Sequence, residues 1–188
     1  MPRPRSAGPG RLSVDDWIQQ GYAVVAEEGL AALKLDRLCA RLGVTKGSFY
    51  WHFEDMPAYR AALVATWDRL RDDDRRRFAA MADLPPRQRL ANMTAELIGA
   101  RHWTMERAMR EWARADEAVA ERLRTADRAL VRALRRALVE DGLDVADAGS
   151  RADAIFAAGV GFIHLSAQPP SGAQATRLER FLELMLRH

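Results

Sequence analysis

Apolar residues recur at helical spacing along almost the whole chain after Leu12, and no stretch keeps a sustained period-two alternation. Val14, Trp17, Ile18, Gly21 and Val25 fall on one face of a first helix. Ser13 stands at its N-cap, Asp15 and Asp16 occupy the first turn, where the helix dipole favours acids, and Gly29 is placed to end it. Leu35, Leu38, Cys39 and Leu42 repeat the pattern in a short second helix stopped by Gly43. Thr45 is expected to cap a third helix running to about Phe53.

Longer helices follow. The fourth carries Tyr59, Leu63, Trp67 and Leu70, and Pro85-Pro86 separates it from a fifth over about 87–100. The sixth covers about 103–113, and the seventh holds Val119, Leu123, Leu130, Leu134 and Leu138. The eighth, about 148–167, is apolar on two sides: Ile155, Gly159 and Phe162 on one, Phe156, Val160 and Ile163 beside them. The ninth presents Leu178, Phe181, Leu182 and Met185. The class is therefore all-α. A boundary is expected near Phe53, where short helices give way to long ones. This divides the chain into a basic arm (1–12, with Arg3, Arg5 and Arg11), a small domain (13–54) and a larger helical domain (55–188).

Composition sharpens this only in places. The 34 alanines among 188 residues favour helix. A single Cys excludes an internal disulfide and a Cys-rich zinc fold; on the apolar face of helix two, Cys39 reads as a buried, inert thiol. The N-terminus has no apolar core of a signal peptide, and the longest stretch without Asp, Glu, Lys or Arg, 154–176, is broken by His164 and Pro169-Pro170. A cytoplasmic protein without a membrane span is expected. The run 72–77 pairs Asp72 with Arg76 and Asp73 with Arg77 at i, i+4, and reads as a solvated face. Net charge is only +3, divided as +2 over residues 1–53 and +1 over the rest, so bulk charge does not decide whether the chain binds nucleic acid.

Placement is more informative. Residues 35–53 form two short helices around a Gly-containing turn, the layout of a helix-turn-helix. Gly43 suits the positive φ that ends helix two, and Val44 can pin the turn to the core. At 100° per residue Phe49 and Phe53 turn inward. Gly47, Tyr50 and Trp51 lie opposite, with Lys46 and Ser48 on the flanks. An exposed Tyr-Trp pair calls for a cover, which DNA would supply. Gly47 lets the backbone approach the duplex, Lys46 reaches a guanine edge or a phosphate, and Thr45, Tyr50 and His52 can donate to phosphate oxygens. Packing of Tyr50, Trp51 and His52 against the next helix is the competing reading.

The run Leu42-Gly43-Val44-Thr45-Lys46-Gly47-Ser48-Phe49-Tyr50-Trp51-His52-Phe53, behind a first helix ending in Glu28-Gly29, resembles the DNA-binding domain of the TetR family of bacterial transcriptional regulators. The resemblance implies a homodimer whose two reading helices enter successive major grooves of a palindromic operator on double-stranded DNA. It maps phosphate contacts onto Thr45, Tyr50 and His52, and base reading onto Lys46, Gly47 and Ser48. The chain departs from the family where a Lys is usual at the start of helix four: Met56 stands there, followed by Pro57. Either that phosphate contact is lost, or Arg60 or the arm replaces it.

The resemblance further implies a repressor released by a small-molecule effector, not identified by the sequence, bound among helices four to eight. Trp67, Met93, Leu97, Trp103, Met105, Met109, Trp112 and Phe156 supply apolar material there, though such a stripe also suits a core; Arg101 and His102 could anchor a polar group but read rather as surface residues. The two apolar sides of helix eight predict dimerisation through helices eight and nine. No cofactor is expected and no catalytic constellation emerges: His52, His102, His164 and His188 are far apart, and Thr45-Lys46-Gly47-Ser48 has the wrong order for a phosphate loop. The alternative function is a helical ligand-binding or protein-interaction module with a degenerate reading head.

Overall fold

The structure is a computed structural model that describes residues 12–97, 100–166, 168–169 and 171–187. Its first helix shows how closely local chemistry sets the boundaries. α1 (Val14–Glu28) opens with a capping box: the Ser13 hydroxyl accepts from the Asp16 N–H, and the Asp16 carboxylate accepts from the Ser13 N–H at 2.8 Å. It closes where Gly29, at φ 83°, returns its N–H to the Val25 carbonyl. A single 3₁₀ turn (Leu30–Ala32) leads to α2 (Leu35–Leu42). Gly43 ends α2 in the left-handed region at φ 67°, as its position before Val44 predicts. α3 (Lys46–Tyr50) is shorter than the periodicity suggests: residues 51–53 leave the helix in a turn.

The second part of the chain forms α4 (Met56–Ala80), α5 (Pro86–Leu97), α6 (Ala100–Ala113), α7 (Glu117–Glu140), α8 (Val145–Leu165) and α9 (Ala173–Met185). Asp55 caps α4 through the Ala58 N–H at 2.7 Å, and Pro57 sits in the first turn, where its missing N–H costs nothing. α8 starts earlier than hydropathy indicates, because Asp144 caps it by accepting from the Ala146 and Asp147 N–H groups. No helix among the described residues is long and apolar enough to cross a membrane.

Two apolar clusters hold these elements. The first does not stop at residue 54. Trp17, Ile18, Val24, Leu38, Phe49 and Phe53 share it with Tyr59, Leu63 and Trp67 of α4, with Met105, Met109 and Trp112 of α6, and with Val119 and Leu123 of α7. The small N-terminal unit thus rests on α4 and α6 through continuous packing, α1 lying along α6. Two buried tyrosines fix its angle: Tyr59 donates to the Trp17 carbonyl at 2.6 Å and Tyr22 to the Leu63 carbonyl at 2.5 Å. Burial pushes the Tyr59 phenol well above its ordinary value, so it stays a donor. Gly21 leaves room for that ring, since a Cβ there would lie 2.2 Å from the Tyr59 hydroxyl. The second cluster joins Leu90 and Met93 of α5, Leu134 and Leu138 of α7, and Ala148, Ala152 and Ile155 of α8, with α9 laid against it through Phe181 and Leu182.

Between the clusters lies a charged layer that the pattern of residues 72–77 does not foretell. Within this run Arg75 pairs with Asp72, Arg76 with Asp73 and Arg77 with Asp74, each at i, i+3. Nor is the run wholly a solvated face, because Asp74 is 2% exposed. Asp74 also meets Arg71 at 3.2 Å and the His102 ring at 3.3 Å, so His102 is a half-buried partner of an acid and not a surface residue. Arg71 continues to Glu106, which accepts from the Trp67 indole at 2.9 Å and pairs with Arg110 at 3.4 Å; Arg110 in turn holds Asp127 at 2.9 Å. Burial raises the Glu106 carboxyl, but Arg71, Arg110 and the Trp67 N–H together outweigh it and hold the group below its ordinary value. Asp74 behaves likewise: burial raises it, and His102, Arg71 and Arg77 bring it down. The same position in an apolar environment without partners would be untenable for either acid.

Two outcomes follow from this packing. Gly21→Ala should destabilise the chain by about 1–3 kcal/mol in urea unfolding, and by clearly less in a Tyr59→Phe background, where the clashing hydroxyl is gone. Additive losses would show that Gly21 is not there for Tyr59. A carboxyl whose folded-state value is depressed contributes stability that is present above its ordinary pKa and lost as the pH falls below it. Stability should therefore decline on acidification through and below the ordinary carboxylate range. Glu106→Gln should cost roughly 3–5 kcal/mol at neutral pH and flatten that decline; an unchanged pH profile would remove Glu106 from the account.

Candidate nucleic-acid interface and effector cavity

α3 has five residues, too few to hold a helix by its own hydrogen bonds, so its orientation is set by one anchor. Phe49 is fully buried, edge-on to Trp17 at 5.4 Å and to Tyr59 at 5.5 Å, and stacked at a tilt on Phe53 at 5.4 Å. With Phe49 inward, the opposite face is presented to solvent. Tyr50 is 58% and Trp51 70% exposed, large aromatic areas for a short solvated helix. A Cβ at Gly47 would meet only the Thr45 hydroxyl at an ordinary 3.7 Å, so packing does not require glycine there; it keeps the surface bare. Ser48 is half-buried on the flank, and His52 is half-buried beside Phe53, with ring centroids 6.3 Å apart.

Thr45 holds the N-cap position with extended backbone, but its side chain does not close on the helix. The expected hydroxyl cap is absent; in the first turn the Thr45 carbonyl accepts from the Ser48 N–H at 3.0 Å. Lys46 is not an isolated cation. Its ammonium lies 2.6 Å from the Asp36 carboxylate of α2, and this contact holds the lysine above its ordinary value and fully charged. Sequence reasoning missed Asp36, because an acid in the first turn of α2 looks like ordinary dipole compensation; only the crossing of α2 and α3 brings it to Lys46. Met56 packs half-buried on the first cluster, and Arg60 donates to the Leu33 carbonyl at 3.4 Å. The arm's Arg3, Arg5 and Arg11 lie outside the described residues. Behind this face, Arg41 and Arg37 bind Glu28, and Arg41 also binds Glu27, tying α2 to the end of α1. Cys39 is buried in the same unit, and burial raises its thiol.

The larger domain encloses a cavity of about 670 Å³ between α4, α5, α6, α7, α8 and α9. This is a typical volume for a small-molecule site. Of the residues expected there, Met93, Trp103 and Phe156 line it. Trp67, Met105 and Met109 do not: they are buried in the first cluster, on the head side of the charged layer. Trp112 faces a separate open groove with Arg60 and Asp68, and the Leu97 and Arg101 side chains lie outside the described residues. The division follows helix face: on α6, Met105, Met109 and Trp112 at i, i+4 and i+7 turn to the first cluster, whereas Trp103 lies on the face toward the cavity. The cavity's charged lining, Arg71, Glu106, Arg110 and Asp127, was also missed, although Trp103, Glu106 and Arg110 at i, i+3 and i+7 share one face of α6 and mark an acid inside an apolar stripe.

Comparison with known proteins agrees with this geometry. Residues 18–58, from α1 to the first turn of α4, match the family model of bacterial regulatory proteins of the tetR family. No curated protein matches the chain. Among solved structures, a transcriptional regulator from Rhodococcus sp. Rha1 superposes with a TM-score of 0.60 at 21% identity, covering 93% of this chain and 92% of that one. One from Aquifex aeolicus VF5 gives 0.63 at 14% identity over 92% and 96%. One of the TetR/AcrR family from Thermobifida fusca YX-ER1 gives 0.55 at 22% over 93% and 96%. Residues 18–58, the unit that carries α3, thus match the tetR family of bacterial regulatory proteins, and the helical chain shares its fold with solved structures of transcriptional regulators.

Proposed function

We propose that this protein is a ligand-responsive transcriptional regulator that acts in the cytoplasm, binds a palindromic operator as a homodimer, and works as a repressor released by a small molecule. The observation that carries the reading is α3: an inward Phe49 sets Lys46, Gly47, Tyr50 and Trp51 on one solvent face. A bare backbone beside a cation and two aromatics suits close approach to a major groove. Lys46, Gly47 and Ser48 read bases, while Thr45, Tyr50, His52 and Trp51 position the head on phosphate and sugar.

Dimerisation through α8 and α9 is supported by apolar side chains left outside both clusters: Leu165 of α8 and Leu184 of α9 are exposed. A two-fold pairing there would set two α3 helices for successive grooves. The cavity is the effector site. Its wall and the support of the reading head share residues, since Arg71 and Glu106 line the cavity and also hold Trp67, which packs in the first cluster. A ligand that changes the partners of Arg71 or Arg110 changes how α4 is held, and α4 carries Tyr59, the ring against Phe49. Arg60 or the arm takes over the contact that Met56 does not make.

The test is footprinting and titration on the DNA beside the protein's own gene, with sedimentation for the dimer. Lys46→Ala should alter base preference, and Tyr50→Phe should weaken binding without altering it. Gly47→Ala should leave thermal stability intact and weaken binding. Absence of specific sites from a genomic library at low salt would overturn the reading. Asp36→Asn removes an acid from the reading face and frees Lys46. It should tighten binding at low salt and steepen the dependence of log Kobs on log salt by about 0.9 per head if Lys46 then engages phosphate. An unchanged slope would place Asp36 and Lys46 away from the backbone.

A further inference from the structure

The cavity carries more information than its volume, because its charges are unequally satisfied. Its walls are mainly apolar and aromatic, with Phe78, Trp103, Leu130, Phe156, Ile163 and Phe181 among them. Every acid in the lining is already engaged. Asp74 holds Arg71 and Arg77, Glu106 holds Arg71 and Arg110, Asp127 holds Arg110, and Glu140 holds Arg89. A cationic ligand would therefore have to break an existing ion pair to find a counter-charge.

The arginines are different. Arg71, Arg75, Arg89 and Arg110 are paired, but Arg132 and Arg136, which also line the cavity, have no acid partner among the described residues. Both are exposed, so they stand at the cavity's solvent edge. They are four residues apart on α7 and so share a face, where like charges repel when nothing bridges them. Two guanidinium forks on adjacent turns suit the planar or trigonal oxygens of a carboxylate, sulfonate or phosphate.

We propose that the cavity takes an amphiphile with a largely apolar body and a single oxyanion group, the body lying among Trp103, Phe156 and Phe181 and the oxyanion held by Arg132 and Arg136. This rests on the reading of the cavity as the effector site and adds the chemical class of its ligand. The anion stays at the mouth, where water and two cations offset its desolvation, while the body enters the part of the cavity whose charges are already neutralised.

Two dyes of one skeleton test it on the intact protein: 8-anilinonaphthalene-1-sulfonate and its neutral parent, N-phenyl-1-naphthylamine. Both fluoresce in apolar sites. The sulfonate should bind about tenfold more tightly or better, and each dye should displace the other. The double variant Arg132→Gln, Arg136→Gln should remove most of that preference while leaving the neutral dye's affinity unchanged, which also reports an intact cavity. Equal affinities in the unaltered protein would overturn the anionic class and leave the cavity standing as a ligand site. A preference that persists in the double variant would overturn the assignment to Arg132 and Arg136. If neither dye binds, or both bind without competing, the cavity reading fails and the proposal with it.

Discussion

The burial of Phe49 is the contact on which the interface depends. A five-residue helix has almost no internal hydrogen bonding to define it, so its axis and rotation are inherited from whatever its one buried side chain touches. Phe49 touches Trp17, Phe53 and Tyr59, which come from α1, the turn after α3 and α4. The same ring therefore fixes the reading surface and links it to the long helix that runs into the larger domain. Edge-to-face aromatic contacts are directional, so a rotation of α3 would break several at once. The outward placement of Lys46, Tyr50 and Trp51 is the geometric complement of that single inward residue.

The second constraint is the buried charged layer of Asp74, Arg71, Glu106, Arg110 and Asp127. It joins α4, α6 and α7 and touches both apolar clusters, the first through Trp67 and the second through Phe156. Such a layer adds little net stability compared with an apolar one, but it is intolerant of partial loss, because each member leaves another unpaired. This sharpness suits a position between the proposed effector cavity and the helix-turn-helix. An apolar layer would yield gradually to a ligand, whereas a charged one has discrete pairings.

The sequence made the head legible for specific reasons. Capping residues, stop glycines and a short-range aromatic pattern act within a few residues of one another, so Ser13, Gly29, Gly43, Phe49 and Phe53 could be assigned without a fold. Thr45 was placed correctly by the backbone, but its hydroxyl does not bond as a cap usually does. Asp36 escaped notice because its partner lies across the turn. In the larger domain the helices were legible and their assignments to cavity or core were not. Trp67 and Trp103 carry the same local signal, and only one of them lines the cavity.

The amino-acid order alone determined the all-helical class, the helix-turn-helix and the exposed face of its second helix, since each follows from periodicity and from contacts close along the chain. Tertiary structure decided what depends on distant segments meeting. It carried the first cluster past residue 54 into α6 and α7, and buried Asp74 out of a run that looks solvated. It set Asp36 against Lys46 and, among the described residues, left Arg132 and Arg136 without acids at the mouth of a cavity whose other charges are paired. Charge pairing over tens of residues has no period to read; it is fixed only when helix packing brings the side chains within a few ångströms.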